Sequence, residues 1–351
     1  MANRSELRIP KSHKYMYEPP AILKQSLIVV NIVCAVATIV LNSMICVAVY
    51  KIKSLRKPSN FLLVSLCAAQ FLVTVDFVSQ AVFLSFHYLY TKQLCITMGM
   101  YHYITIVIII FHLATISMDR LIAIQWHLRY KSIVTKRRMI VCVTVLWISA
   151  FLLSFVPKLL SSADTKKEMN VLFKFLIGCH GNRRNRTYRR NRTYRRNRTY
   201  RRNLSFEERL EKRRKAFDTA QVYMVVNLIV NLAIPFLIIA LCYAVILRVS
   251  MKHYKQIRGQ MATGVSWKEI RAAKTVFIII GSFLLFFLPA FAISLVGTST
   301  NRCWNCKRAI KILVTVQSLS AVFNPLVYAV RNSEFRAAFK TILRLKVGPE
   351  S

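Results

Sequence analysis

The sequence predicts an all-α membrane protein: a seven-transmembrane helix bundle ending in a short C-terminal amphipathic helix. Three observations carry this. The chain is 55% hydrophobic, and its charged residues, 19% of the total, are almost entirely kept out of seven long apolar stretches. About 20 apolar residues, at about 1.5 Å of rise each, cross a hydrocarbon core of about 30 Å, and each stretch is long enough. Backbone amides in lipid find no water, so a span must satisfy them within its own segment, as a helix does and an open strand does not.

In chain order the first span is Gln25 to Tyr50, which carries no Lys, Arg, Asp or Glu. The second, Phe61 to Tyr88, is interrupted only by Asp76. The third, Thr97 to Met118, holds His102 and His112 but no full charge. The fourth is Met139 to Pro157, and the fifth, Thr219 to Leu247, follows directly on Asp218. The sixth is Thr275 to Val296 and the seventh Ile312 to Val330. Residues 1–24 then form an N-terminal segment, 25–330 the bundle, and 331–351 a helix and tail. Met1 to Glu18 is polar and lacks the apolar core of a cleavable signal, so the first span is expected to do the targeting.

Basic residues mark the inner side. The connections Lys51 to Lys57, Arg129 to Arg138 and Arg248 to Lys274, and the tail from Arg331, are all rich in Lys and Arg. The N-terminus and the remaining loops then lie outside. Five of the nine cysteines (Cys34, Cys46, Cys67, Cys142, Cys242) fall inside spans as buried structural thiols, and Cys95, Cys179, Cys303 and Cys306 fall on the oxidising outer face.

The outer loop from Lys158 to Phe217 departs from a simple charge count. Residues 182–203 contain three copies of Arg-Arg-Asn-Arg-Thr-Tyr, with eleven arginines from Arg183 to Arg202, and supply much of the formal charge of +39. Long loops translocate largely regardless of charge, so the orientation stands. The acceptor pattern Asn-x-Ser/Thr recurs at Asn185, Asn191, Asn197 and Asn203, and again at Asn3. Two readings of the repeat stay open: a disordered low-complexity expansion, and an outer basic loop that captures acidic ligands or glycans.

The third span ends in Met118-Asp119-Arg120-Leu121-Ile122, followed by Leu128-Arg129-Tyr130. The seventh carries Asn324-Pro325-Leu326-Val327-Tyr328, and Glu334-Phe335-Arg336-Ala337-Ala338-Phe339 follows. With Asn42, Trp147, Pro235, Tyr243 and Pro289 in their successive spans, these segments resemble the rhodopsin-like (class A) G protein-coupled receptors over about Gln25 to Leu345. The third and seventh spans are nearest in style to the amine, adenosine and melanocortin branch.

The resemblance implies an activation switch of Asp119, Arg120, Tyr243, Asn324, Pro325 and Tyr328, with Glu269 latching Arg120 in the resting state. A solvated Glu269 in a basic loop is the plainer reading. It also implies a disulfide between Cys95 and Cys179, and Cys303 with Cys306 could close a second, short bridge. No cofactor and no metal site are expected. Prolines within membrane helices remove a hydrogen bond and create kinks, so Pro235, Pro289 and Pro325 are candidate hinges.

Departures from the pattern are equally informative. Gln70 stands where the family carries an acid that coordinates sodium, and Ile109 replaces a small polar residue nearby, although Ser320 and Asn324 remain. A neutral amide does not offset a buried cation, so no sodium site and altered basal activity are expected. Phe287 replaces the usual Trp beside Pro289 and lacks its indole donor.

His102 lies 18 residues before Arg120, or five turns, so both share one face of the third span about 27 Å apart. Amine receptors carry an acid at this place, and its absence disfavours a standard amine receptor. Asp76 is an intramembrane acid and a functional residue by default: it could meet a cationic ligand group, pair with His102, or serve as a water-bridged structural group. Phe287, Phe291 and Ser294 are placed along the outer cavity by position alone.

The expected function is transduction of an extracellular small-molecule or short-peptide ligand to a heterotrimeric G protein at the plasma membrane. The alternative is a non-signalling seven-helix protein that binds or traffics a ligand. No acid–base pair, nucleophile constellation or metal cluster suggests an enzyme. The expected partners are G protein, ligand and membrane lipid; the outward side of the arginine repeat excludes nucleic acid.

Overall fold

The structure is a computed structural model. It describes residues 20–86, 91–160, 206–257 and 304–343, together with 162–163, 165–166, 169–170, 278, 281–282 and 285–289. The first four spans are α1 (Ala21–Lys51), α2 (Pro58–Ser85), α3 (Lys92–Gln125) and α4 (Lys136–Leu160). The fifth is built from α5 (Phe206–Leu228), a π-helical turn at Ile229–Ala233 and α6 (Ile234–Ile257). The described residues of the sixth, 278, 281–282 and 285–289, are helical. The seventh comprises α7 (Trp304–Ser318) and α8 (Ser320–Arg331), and α9 (Ser333–Ile342) follows it. Among the described residues five helices are long and apolar enough to cross a membrane.

Local chemistry sets several boundaries. Pro58 opens α2, where its missing N–H costs nothing. Thr91 caps α3 by accepting the Leu94 amide at 3.2 Å. Asn332 caps α9 by accepting the Glu334 amide at 3.0 Å. The π turn sits directly ahead of Pro235, whose ring would clash with the carbonyl four residues back in a regular helix; the wider turn relieves that clash. Leu319 interrupts the seventh span between α7 and α8, six residues before Pro325.

One boundary needs correction. The sequence ended the second outer loop at Phe217, whereas α5 begins at Phe206. Hydropathy marks only the part of a helix in lipid. Glu207 to Ala216 is built of strong helix formers, and Lys215 pairs with Glu211 across one turn at 2.7 Å, so winding continues beyond the span. That ion pair holds the Glu211 carboxyl below its ordinary range and Lys215 above its own.

Burial is arranged as lipid solvent demands. Val29, Val33, Val36 and Val40 on α1 face outward, while Asn31, Thr38 and Asn42 on its other face are buried. In water this pattern would reverse; in lipid, polar groups turn inward to find partners. The core packs α3 against α2, α4 and α6, and α1 against α2, α8 and α9. On α9, Phe335, Ala338 and Phe339 are buried and Arg336 and Lys340 exposed, the spacing of a one-faced helix.

Candidate ligand and signal-transducing site

At its inner end α3 delivers Asp119 and Arg120. Arg120 Nη2 lies 3.0 Å from Asp119 Oδ2, and the other carboxylate oxygen accepts the Tyr130 hydroxyl at 2.7 Å. Tyr130 stands on a single helical turn, Tyr130–Ile133, so one buried carboxylate ties the end of α3 to the following loop. Burial, reinforced by the Asp119 charge, pushes the Tyr130 hydroxyl well above its ordinary range. It donates here and does not ionise.

Around this end Tyr243 of α6 is buried, as are Asn324 and Pro325 of α8. The backbone of α8 carries Tyr328 one turn beyond Asn324. Glu269 lies outside the described residues. Asn42 donates to the Ala321 carbonyl at 3.2 Å and so fixes α1 against α8. Lys57 reaches both carboxylate oxygens of Glu334, at 2.8 and 2.9 Å, joining the first inner loop to α9.

Gln70, Ser320 and Asn324 are also buried, and among the described residues neither amide atom of Gln70 or Asn324 has a hydrogen-bond partner. A cation held by these groups would have to shed its water to two neutral amides and a hydroxyl, and Ile109 of the third span, itself buried, offers no ligand atom. No carboxylate is present among these donors to offset the charge, so they do not fit the sodium ion that the family resemblance brings to mind.

Toward the outer side, His102 Nδ1 lies 3.1 Å from Asp76 Oδ2, and its Nε2 lies 3.3 Å from Gln317 Oε1. Both members of the Asp–His pair are buried. One turn further along α2, Gln80 accepts the Thr315 hydroxyl at 3.0 Å, and Thr315 accepts from Asn31 at 3.3 Å, linking α2, α7 and α1. Against the fifth span, Tyr103 donates to Asn227 at 2.9 Å and accepts from Asn231 of the π turn at 3.0 Å. The extra residue in that turn aims Asn231 at α3.

Phe287 is buried, and Phe286 meets Phe323 of α8 edge-on with ring centres 5.9 Å apart. Phe291, Ser294, Cys179, Cys303, Asn3, Asn185, Asn191, Asn197 and Asn203 lie outside the described residues. Cys95 at the outer end of α3 is engaged in a disulfide. Cys306 falls on α7, and only its backbone is described.

Sequence reasoning missed one further constellation. His112 Nδ1 lies 2.8 Å from the Ile108 carbonyl, which only accepts, so this nitrogen carries the proton of the neutral ring. Its Nε2 then accepts the Ser65 hydroxyl at 2.7 Å, and Ser65 Oγ accepts the Trp147 indole N–H at 3.0 Å. The chain ties α2, α3 and α4 together through the buried His112 and Ser65 and a half-buried Trp147. An uncharged histidine in an apolar stretch was the available signal.

This arrangement of helices, with its Asp-Arg end and its Asn-Pro-x-x-Tyr helix, can be compared with known proteins. A family model described as 7 transmembrane receptor (rhodopsin family) matches residues 41–195 and 203–328. The chain belongs to the rhodopsin family of seven-transmembrane receptors. It is therefore a multi-pass membrane protein of a receptor family, and not an enzyme.

Similar family members include dopamine receptor 1 of Drosophila melanogaster, 26% identical over 94% of this chain and 65% of its own length. 5-Hydroxytryptamine receptor 1 of Aplysia californica is 25% identical over 91% of this chain and 73% of its own length. Adenosine receptor A2a of Canis lupus familiaris is 26% identical over 91% and 72% respectively. The chain thus spans about two thirds to three quarters of the length of these relatives.

Proposed function

We propose that the chain is a plasma-membrane receptor that couples an extracellular small-molecule or short-peptide ligand to a heterotrimeric G protein. The observation that carries this is the closed inner lock, in which Asp119 holds both Arg120 and Tyr130 at the end of α3. A half-buried guanidinium beside a buried carboxylate is a contact that can be exchanged for another partner. Activation exchanges it as Tyr243 and Tyr328 turn toward the freed Arg120 and α8 moves about Pro325. Glu269 adds a second resting partner for Arg120.

On the ligand side, similar receptors are named for dopamine, 5-hydroxytryptamine and adenosine, which favours a compact ligand. The third span carries no acid at the place of His102, but Asp76 brings one from α2 within 3.1 Å of that ring. A polar ligand group meets Asp76 and His102, and Phe287, Phe291 and Ser294 line the same cavity. The Cys95–Cys179 bridge closes the outer end, and the Asn-x-Ser/Thr sites carry glycans. The fully buried neutral Gln70 favours a second reading, a ligand-binding protein of this fold that does not signal.

The test is G protein-dependent signalling in cells for the native chain, Arg120→Ala and Glu269→Ala at matched surface density. The receptor reading expects Glu269→Ala to raise basal output and Arg120→Ala to abolish it. Silence from all three, with no G protein recruited, transfers the weight to the non-signalling reading.

A further inference from the structure

The outer polar line joins three helices through one imidazole, and its donors and acceptors balance in two ways, with a proton added to the ring or with the Gln317 amide turned. Asp76 Oδ2 and Gln317 Oε1 face the two ring nitrogens of His102 at 3.1 and 3.3 Å, and both oxygens only accept. An imidazolium donates to both. A neutral ring donates to one, and its other lone pair then meets a carbonyl oxygen unless the Gln317 amide turns end for end and presents its N–H. With His102 3%, Asp76 4% and Gln317 7% exposed, solvent does not absorb the mismatch.

The surrounding groups leave this exchange to His102. On α3 itself, the Tyr101 hydroxyl donates to the Leu72 carbonyl at 2.6 Å and Tyr103 is turned to Asn227. On α2 the charged neighbour is Asp76, and the described side chains that α1 and α7 bring to this layer, Asn31, Thr315 and Gln317, are neutral. Gln317 stands two residues before Leu319, where the seventh span breaks ahead of the Asn324-Pro325 segment. A change of donor direction at Gln317 is therefore felt at the start of α8.

We propose that Asp76, His102 and Gln317 form a proton-binding site whose occupancy sets the hydrogen-bond coupling between α3 and the seventh span. Extracellular pH then biases the resting balance of the receptor; this signalling consequence rests on the receptor reading above, while the site itself does not.

The experiment is a pH titration of histidine-labelled, purified full-length receptor in lipid nanodiscs by NMR, with the His102 signal assigned by its loss in His102→Gln. We expect that signal to pass between two states as pH is lowered. In Gln317→Leu the pH at which this happens shifts, because an acceptor for the charged ring is removed. Gln317→Asn, too short to reach the ring, replaces Gln317→Leu should that variant not fold. In cells, basal output changes with extracellular pH for the native chain and not for His102→Gln. A His102 signal that keeps one state throughout, or a midpoint unmoved in both Gln317 variants, overturns the proposal. A titrating site beside silent output defeats the receptor reading alone.

Discussion

Replacing His112 by leucine tests the buried chain that fastens α2, α3 and α4. The substitution removes the acceptor of the Ser65 hydroxyl at 2.7 Å and the local bond to the Ile108 carbonyl at 2.8 Å. Ser65 still accepts from Trp147, but its own proton is left buried without an acceptor. Stranding a buried donor costs about 1–3 kcal/mol, against about 0.6 kcal/mol for an average interhelical bond in lipid. His112→Leu should therefore lower the thermal midpoint of the purified receptor by several degrees, at about 2–4 °C per kcal/mol for a domain of this order of size. Ser65→Ala added to His112→Leu removes the stranded hydroxyl, so the double variant should be less unstable than the two single losses added together, by about 0.5–1.5 kcal/mol. A His112→Leu receptor that melts with the native protein, or a double variant with fully additive losses, refutes the chain of donors.

Tyr130→Phe deletes one of two contacts to Asp119 and leaves Arg120 in place, and basal G protein signalling should rise severalfold at matched surface density; an unchanged basal level argues against the lock. Replacing sodium chloride by choline chloride should leave the native thermal midpoint unmoved, whereas Gln70→Asp should create a sodium-dependent gain. The Lys57–Glu334 pair has side chains 52% and 42% exposed, so Lys57→Ala should cost under about 1 kcal/mol in the same melting assay.

The spans were legible because lipid imposes one rule on every backbone group and leaves its mark as an apolar run. The outward extension of α5 was not, since Glu207 to Ala216 is helical through propensity and ion pairing, which hydropathy does not register. Asp76 and His102 were each visible as polar groups in apolar runs, and their pairing was one of the readings left open. Gln317, Thr315, Asn31 and Asn231 were not singled out. An uncharged amide in a span is consistent with facing any neighbour, and which partner it meets depends on helix rotation. The π turn was hidden for the same reason: Pro235 announces a distortion without saying which backbone geometry accommodates it.

The placement of charge bears on how a signal crosses this bundle. Asp76 pairs with His102 toward the outer side and Asp119 with Arg120 at the inner end, with the two α3 residues about 27 Å apart, and between them Gln70, Ser320 and Asn324 are neutral. An ion held at the centre would penalise any rearrangement that opened it, because a desolvated charge needs its full ligand set. Neutral amides carry a smaller penalty and can exchange partners one hydrogen bond at a time. Among the described residues the contacts to be remade when α8 moves are then a ring contact, Phe286 against Phe323, and a neutral hydrogen bond, Asn42 on the Ala321 carbonyl. Restoring the carboxylate with Gln70→Asp should therefore stiffen the resting state and lower basal output in the presence of sodium, and an equal or higher output would show that the central charge does not govern the switch.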